Sequence, residues 1–443
     1  MDIIVIRTVQ LVLSLSILVI IHECGHFLFA RLFKVRVEKF YLFFNPWFSL
    51  FKYKPKKSET EYGIGWLPLG GYVKISGMID ESMDREAMAQ PPKPWEFRTK
   101  SATQRLLIML GGVLMNFLLA FFLFAMLVFA FGEEYIPVKN VKMGFSYNEL
   151  FIGAGFRNGD IPVAADNKSL SDIDIRRDVN ELFNLLEAKE VQVLRDGQLV
   201  NITMPEGFVN KNINEKSHIN YRYPFVIKTV TNGSPASAAN LEAGDSIVGV
   251  NDRSDMFAHD VINALSEYKG KEIVLNLYRN GELKNVSITP TAAGKIGVGF
   301  LQPEEIYETV KKHYNFFSAF PAGIRIGIET TAGYLKGLKY LFTKEGMENV
   351  GGFGSIASIF PGKWIWSAFW SMTAFLSIIL GVMNLLPIPG LDGGHVMFVL
   401  YEMITGRKPS DKFMEYAQTV GMILLIALIL YANGMDILRA IGK

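Results

Sequence analysis

The chain has 443 residues, a formal net charge of +2 and a single cysteine, Cys24. Hydrophobic residues other than glycine make up 50 % of it, more apolar matter than the core of a soluble domain uses. A near-neutral charge excludes the basic excess of a nucleic-acid binder. One cysteine excludes an intramolecular disulfide framework and any multi-cysteine metal site. The length fits roughly two to four domains, and the apolar surplus points to lipid.

Four segments meet the requirement of about 20 mostly apolar residues per membrane span. They run from Ile3 to Leu32, Leu106 to Phe131, Trp364 to Leu391 and Tyr416 to Met435. The opening Met1-Asp2-Ile3 carries no basic run, and no small-residue cleavage site follows the apolar stretch. The first segment therefore reads as a span, not as a cleaved signal peptide. About a dozen Lys and Arg gather between Arg31 and Lys100, against Arg7 alone before the first span. The positive-inside rule puts that stretch in the cytoplasm and the N-terminus outside. Alternation then places residues ~132–363 outside, the basic Arg407–Lys412 loop inside and the C-terminus outside.

Ionisable groups inside spans are a functional signal because lipid makes them costly. The first span holds His22-Glu23-Cys24-Gly25-His26, an H-E-x-x-H pattern. Residues four apart share a helix face, so His22 and His26 can bind one zinc ion, with Glu23 beside them as proton acceptor. A catalytic zinc needs a third protein ligand, and the carboxylate near the third span is Asp392, in Asn384-Leu385-Leu386-Pro387-Ile388-Pro389-Gly390-Leu391-Asp392-Gly393-Gly394-His395. Both the first and third spans travel inward, so the histidines and Asp392 arrive at the same cytoplasmic end. Pro387 and Pro389 break the helical ladder just before the acid, and irregular backbone at that depth requires protein or a water-lined cavity around it. His395 is a rival ligand, ranked below Asp392. Cys24 reads as a small buried hydrophobe.

These residues resemble the site-2 protease family of membrane-embedded zinc metalloproteases, in its RseP-like bacterial branch. The resemblance rests on the two motifs, the four spans and the large insert after the second, and it covers nearly the whole chain. It implies one Zn2+ per chain held by His22, His26 and Asp392, with Glu23 as catalytic base. It further implies that Asn384 helps hold an extended substrate, and that Gly111-Gly112-Val113-Leu114-Met115-Asn116 packs closely beside the site. In the cytoplasmic stretch, Gly63 to Gly77 reads as short strands joined by a turn. A peptide bond in a membrane helix must be unwound before hydrolysis, and a strand edge can hold the unwound segment. The resemblance assigns that task to the Gly70–Gly77 region, including Gly71, Tyr72, Val73 and Lys74.

The insert contains a repeat at about 85 residues. Ala154-Gly155-Phe156-Arg157-Asn158-Gly159-Asp160-Ile161 parallels Ala239-Asn240-Leu241-Glu242-Ala243-Gly244-Asp245-Ser246, and Val193-Leu194-Arg195-Asp196-Gly197-Gln198 parallels Leu277-Tyr278-Arg279-Asn280-Gly281-Glu282. Each copy reads strand, Gly-Asp turn, strand, helix and hairpin. The second, with Gly233-Ser234-Pro235-Ala236, resembles a bacterial PDZ domain, and the first does so more weakly. Gly297-Val298-Gly299-Phe300 is the candidate loop for a peptide terminus. The pair either captures peptide termini or, the favoured reading, excludes substrates with bulky external domains. Tyr307 to Phe342 has the spacing of a membrane-surface helix, and Gly351-Gly352-Phe353-Gly354-Ser355 reads as a flexible loop.

The expected architecture is a multi-spanning α-helical membrane protein with two tandem α/β PDZ-like domains and a cytoplasmic, membrane-associated β-hairpin region. Its segments are 1–33 (first span), 34–102 (hairpin region), 103–131 (second span), 132–220 and 221–305 (PDZ-like domains), 306–363 (surface helix and loop), 364–391 (third span) and 392–443 (loop and fourth span). The expected function is intramembrane zinc endopeptidase acting on single-span proteins such as anti-sigma factors or remnant signal peptides. Its place is the bacterial inner membrane, with the PDZ-like domains periplasmic and the site near the cytoplasmic side. Its partners are those substrates, peptide termini and the lipid bilayer, with no nucleic acid. A non-catalytic scaffold would need no intact ligand set, and a metal transporter would need polar residues in both leaflets rather than at one depth.

Overall fold

Apolar runs as long as lipid is thick fold as helices because lipid offers their backbone no other hydrogen-bond partner. The computed structural model describes residues 2–68, 70–78, 90–212, 215, 218–343, 346–347 and 350–441. Leu69, inside the glycine-bounded stretch between the first two spans, lies outside the described residues. Among these, four helices are long and apolar enough to cross a membrane. They are Ile3–Leu32, Ala102–Phe131, Trp366–Leu385 and Asp411–Ile441. The first begins where the Asp2 carboxylate accepts the Ile4 N–H, the second at a Ser101/Gln104 capping box, both satisfying orphan amides of the first turn. The third stops at Leu386, one residue before the first of the two prolines, as a residue preceding proline is pushed out of the helical region.

The chain divides into two compact units, Glu133–Lys312 and the remainder. In the membrane unit the spans are accompanied, among the described residues, by the α-helices Phe316–Leu338, Phe353–Ser358 and Asp392–Thr405. Expected as a surface helix, Phe316–Leu338 lays a small-residue face on the second span. A Cβ at Gly323 would fall 2.4 Å from the Ala125 nitrogen. The expected flexible loop at Gly351–Ser355 is instead the start of the short helix. Asn433 and Asp436 of the fourth span accept its Phe353 and Ser355 amides at 3.2 and 2.9 Å. Those acceptors lie some 80 residues away, beyond any local signal.

The region between the first two spans holds a hairpin, but not the one expected within Gly63–Gly77. It forms four strands, β1 (Val37–Leu42), β2 (Phe44–Tyr53), β3 (Glu61–Leu67) and β4 (Tyr72–Ile75), in the order β2-β3-β1-β4. The hairpin is that of β2 and β3, which pair antiparallel. β3 runs parallel to β1 and β4 antiparallel to it, so β3 and β4 never pair. The reason is Tyr41 of β1. Its ring stacks on Tyr72 at 5.3 Å and covers Gly63, where a Cβ would fall 2.2 Å from it. β4 is thereby left at the sheet edge.

The second unit begins and ends on paired strands, β5 (Glu133–Tyr135) against β17 (Val310–Lys312), with Lys312 opposite Glu133. The preceding strand ends at Phe300, and β17 follows it to close the unit. Within it, β6 (Phe145–Tyr147) pairs with β11 (Ile219–Tyr221), and β7 (Ile161–Ala165), β8 (Lys168–Ser169), β9 (Glu190–Arg195) and β10 (Gln198–Thr203) form a sheet in the order β10-β9-β7-β8. A five-stranded sheet follows, ordered β15-β14-β13-β12-β16, from β12 (Phe225–Val230), β13 (Ser246–Val250), β14 (Ile273–Arg279), β15 (Glu282–Ile288) and β16 (Val298–Phe300). The sequence repeat reappears as chemistry. Arg195 grips Asp160 through Nε and Nη2 at 2.9 and 2.7 Å, and Arg279 grips Asp245 the same way at 2.7 and 2.6 Å. Each arginine also donates to a carbonyl, of Gly155 and Asn240 respectively. Both aspartate side chains are 1 % exposed, so each copy fixes its Gly-Asp turn to its hairpin by one buried fork.

Candidate metal centre

His22 and His26 lie one turn apart on the buried face of the first span, with Gln10, Ser14 and Leu18 on the same stripe. The second span comes this close because two glycines meet. A Cβ at Gly25 would fall 2.1 Å from the Gly111 carbonyl oxygen, and one at Gly111 2.7 Å from the Gly25 oxygen. Gly112 then faces the imidazoles, where a Cβ would fall 2.5 Å from His26 Nε2.

Asp392 reaches the same point from the other end of the sequence. After Leu385 the chain turns through Pro387 and Pro389 and re-enters a helix at Asp392. The turn folds back tightly: a Cβ at Gly393 would fall 2.0 Å from the Leu386 oxygen, and one at Gly421 of the fourth span would overlap the Pro389 oxygen. A partly buried ion pair, Arg105 Nη2 to Glu402 Oε1 at 2.6 Å, ties the helix that carries Asp392 to the start of the second span.

These elements bring three ligand atoms into a near-equilateral triangle. His22 Nε2, His26 Nε2 and Asp392 Oδ2 are each 3.2 Å from the other two. Asp392 Oδ2 is buried with no hydrogen-bond donor aligned on it, an orphan that a native structure rarely tolerates. Ligand bonds of about 2.0–2.1 Å in tetrahedral geometry space the ligand atoms about 3.3–3.4 Å apart. The donor set, the spacing and the orphaned oxygen all fit one zinc ion with an open fourth position.

The neighbours are equally defined. His26 Nδ1 lies 2.9 Å from the Ile108 carbonyl oxygen, His22 Nδ1 3.1 Å from the Asn116 carboxamide, and Asn384 Nδ2 3.3 Å from His22 Nε2. The Val73 amide of β4 faces the Glu23 carboxylate, and β4 is an edge strand of its sheet. Of the stretch singled out for substrate, Tyr72, Val73 and Lys74 form β4 itself. Gly71 precedes it, where a Cβ would meet Val19 of the first span at 2.6 Å. His395, the rival ligand, points elsewhere and contacts Gln418 of the fourth span. The sequence reading did not single out the Ile108 carbonyl. Asn116 had a signal: beyond the first turn it is the one amide in a 30-residue apolar helix, where such a group needs a partner.

Peptidase family M50 matches residues 10–428, and the chain belongs to this family, the site-2 protease family. It is a zinc metalloprotease with membrane-spanning helices. Among its relatives, the regulator of sigma E protease of Haemophilus influenzae is 27 % identical, with 97 % of this chain and 98 % of that protein aligned. Protease RseP of Yersinia pestis is 28 % identical over 94 % and 95 % of the two chains. A Rickettsia conorii protein with zinc metalloprotease in its name is 28 % identical over 96 % and 97 %.

Proposed function

We propose that this protein is an intramembrane endopeptidase of the bacterial inner membrane that cuts the membrane segments of single-span proteins already shortened on their outer side. Anti-sigma factors and remnant signal peptides are substrates of this kind. The observation that carries the reading is the 3.2 Å triangle of His22, His26 and Asp392 around an orphaned carboxylate oxygen. In this proposal His22, His26 and Asp392 hold zinc. When bound, zinc supplies Lewis acidity toward the scissile carbonyl and lowers the pKa of water. Glu23 takes the proton of the attacking water and passes it to the leaving amine, the reciprocal use of one carboxylate as base and then acid. An unwound substrate segment adds to the outer edge of β4 along Gly71, Tyr72, Val73 and Lys74. The Val73 amide of that edge faces Glu23, so strand addition delivers a peptide bond to the base. Asn384, beside His22 Nε2, orients the carbonyl of that bond.

Residues 133–312 are proposed as a tandem pair of PDZ-like domains on the periplasmic side, acting as a filter against substrates with large external domains. The arrangement of the charge pairs Asp160–Arg195 and Asp245–Arg279 supports two copies of one domain. The test of the catalytic reading is a pair of variants in the full chain. Glu23→Gln is expected to retain one zinc per chain and lose cleavage of a model membrane peptide, and Asp392→Ala to lose the zinc. Cleavage by pure Glu23→Gln protein at the wild-type rate would reject the assignment.

A further inference from the structure

Each histidine of the centre has a second ring nitrogen, and both of these face the second span. Opposite His26 Nδ1 stands the Ile108 carbonyl at 2.9 Å. A carbonyl only accepts, so His26 carries its proton on Nδ1 and presents a bare Nε2 to the centre. His22 faces the same demand: an imidazole that gives Nε2 to a metal keeps its proton on Nδ1 and needs an acceptor there. Its neighbour is the Asn116 carboxamide at 3.1 Å. With Nδ2 turned to the ring, a protonated Nδ1 would meet donor with donor, while Asn116 Oδ1 lies buried and without a partner. A half-turn of the carboxamide exchanges its two heavy atoms, and Oδ1 then accepts the Nδ1 proton.

We infer that Asn116 is a positioning residue of the zinc centre: its Oδ1 takes the Nδ1–H of His22 and fixes the tautomer that leaves Nε2 for the metal, as the Ile108 carbonyl does for His26. The inference rests on the zinc reading above. Asn116 is held for this task. The residue is fully buried, and its backbone carbonyl accepts the Ser377 hydroxyl of the third span at 2.8 Å. One turn earlier, Gly112 leaves the space in which the two rings approach the second span.

Two substitutions of nearly equal size separate an acceptor from a donor. Asn116→Asp keeps acceptors and lacks the amide donor, whereas Asn116→Leu has neither. Zinc affinity of the full chain in detergent is read by competition with a chelator, and the absorption spectrum of the Co2+-substituted protein reports the ligand field. Asn116→Asp is expected to hold zinc within a few-fold of wild type with an unchanged Co2+ spectrum. Asn116→Leu is expected to weaken zinc about 10–100-fold. A donor role reverses the first result: an aspartate variant weakened about as much as the leucine one overturns the inference. Wild-type affinity in the leucine variant overturns it as well. Should the leucine variant fail to fold, the aspartate variant alone decides. A wild-type chain that takes up no zinc would overturn the zinc reading itself, whereas wild type with zinc beside an unaffected leucine variant overturns this inference only.

Discussion

A single methyl group at position 112 tests the centre more sharply than removal of a ligand. A Cβ there would fall 2.5 Å from His26 Nε2 and 2.6 Å from His22 Cε1, while ordinary contact begins at 3.4 Å. The rings must therefore retreat by about 0.9 Å, against a tolerance of about 0.2 Å in metal–ligand distances. The retreat also stretches the 2.9 Å contact of His26 Nδ1 with Ile108. Because the atoms in the way belong to side chains, the spans themselves can stay in place, and overpacking of this kind costs about 1–3 kcal/mol. Gly25→Ala is the contrasting variant. Its Cβ meets the Gly111 carbonyl oxygen at 2.1 Å and the carbonyl carbon at 2.4 Å, so two backbones must separate. The assay is zinc per chain after size-exclusion chromatography, beside the thermal unfolding of chelator-treated protein. Gly112→Ala is expected to lose zinc and cleavage while its metal-free form unfolds near the wild-type temperature; Gly25→Ala is expected to lose both zinc and stability. A Gly112→Ala protein that binds one zinc at wild-type affinity and cleaves would refute the placement of the ligand atoms.

Further outcomes follow from the second unit. Asp245→Asn leaves Arg279 with a weaker fork in a site where the aspartate is 1 % and the arginine 18 % exposed. A loss of about 2 kcal/mol at pH 7 is expected, below the range for fully buried pairs because the arginine stays partly solvated. Burial pushes the Asp245 carboxyl up, but the Arg279 guanidinium and the Glu242 amide outweigh it and hold the group below its ordinary value. A depressed folded value stabilises above the unfolded pKa of about 3.9 and the benefit fades as pH falls through the folded one. Chemical unfolding of wild type and Asp245→Asn should therefore converge below about pH 4, and a gap that widens with acid would contradict the pairing. Excision of residues 134–311 with a short turn joining Glu133 to Lys312 is geometrically mild, since strand-paired residues lie about 5 Å apart. The filter reading expects the excised protein to cut substrates that still carry an external domain. Loss of all cleavage by a folded, zinc-loaded excision variant would favour terminus capture instead.

Much of the centre was legible because its chemistry is out of place where it stands. Two histidines and a glutamate in an apolar helix, and an aspartate behind two prolines, are conspicuous against lipid-compatible sequence. The i, i+4 spacing already fixed a shared face for His22 and His26. The repeat was legible too, since Asp160 and Asp245 must each pay for burial with a charge partner, and an arginine recurs at a matching distance in both copies.

What stayed hidden are choices made by distant parts of the chain. The run from Val37 to Tyr53 is rich in aromatics but broken by Asn45-Pro46, and its composition alone suits a loop as well as two strands. Only the tertiary partner decides: with no side chain at Gly63, the Tyr41 ring fills that space and stacks on Tyr72, and β1 comes between strands that looked like neighbours. The same rearrangement has a consequence for the chemistry. A simple hairpin of β3 and β4 would engage one edge of β4 within the hairpin. In the observed sheet β1 takes one edge of β4, and among the described residues no strand pairs with the other, where the Val73 amide faces Glu23. Local sequence thus specified the groups that meet at the centre, while the order of the strands left an edge strand beside them, the edge to which the proposal adds an extended peptide.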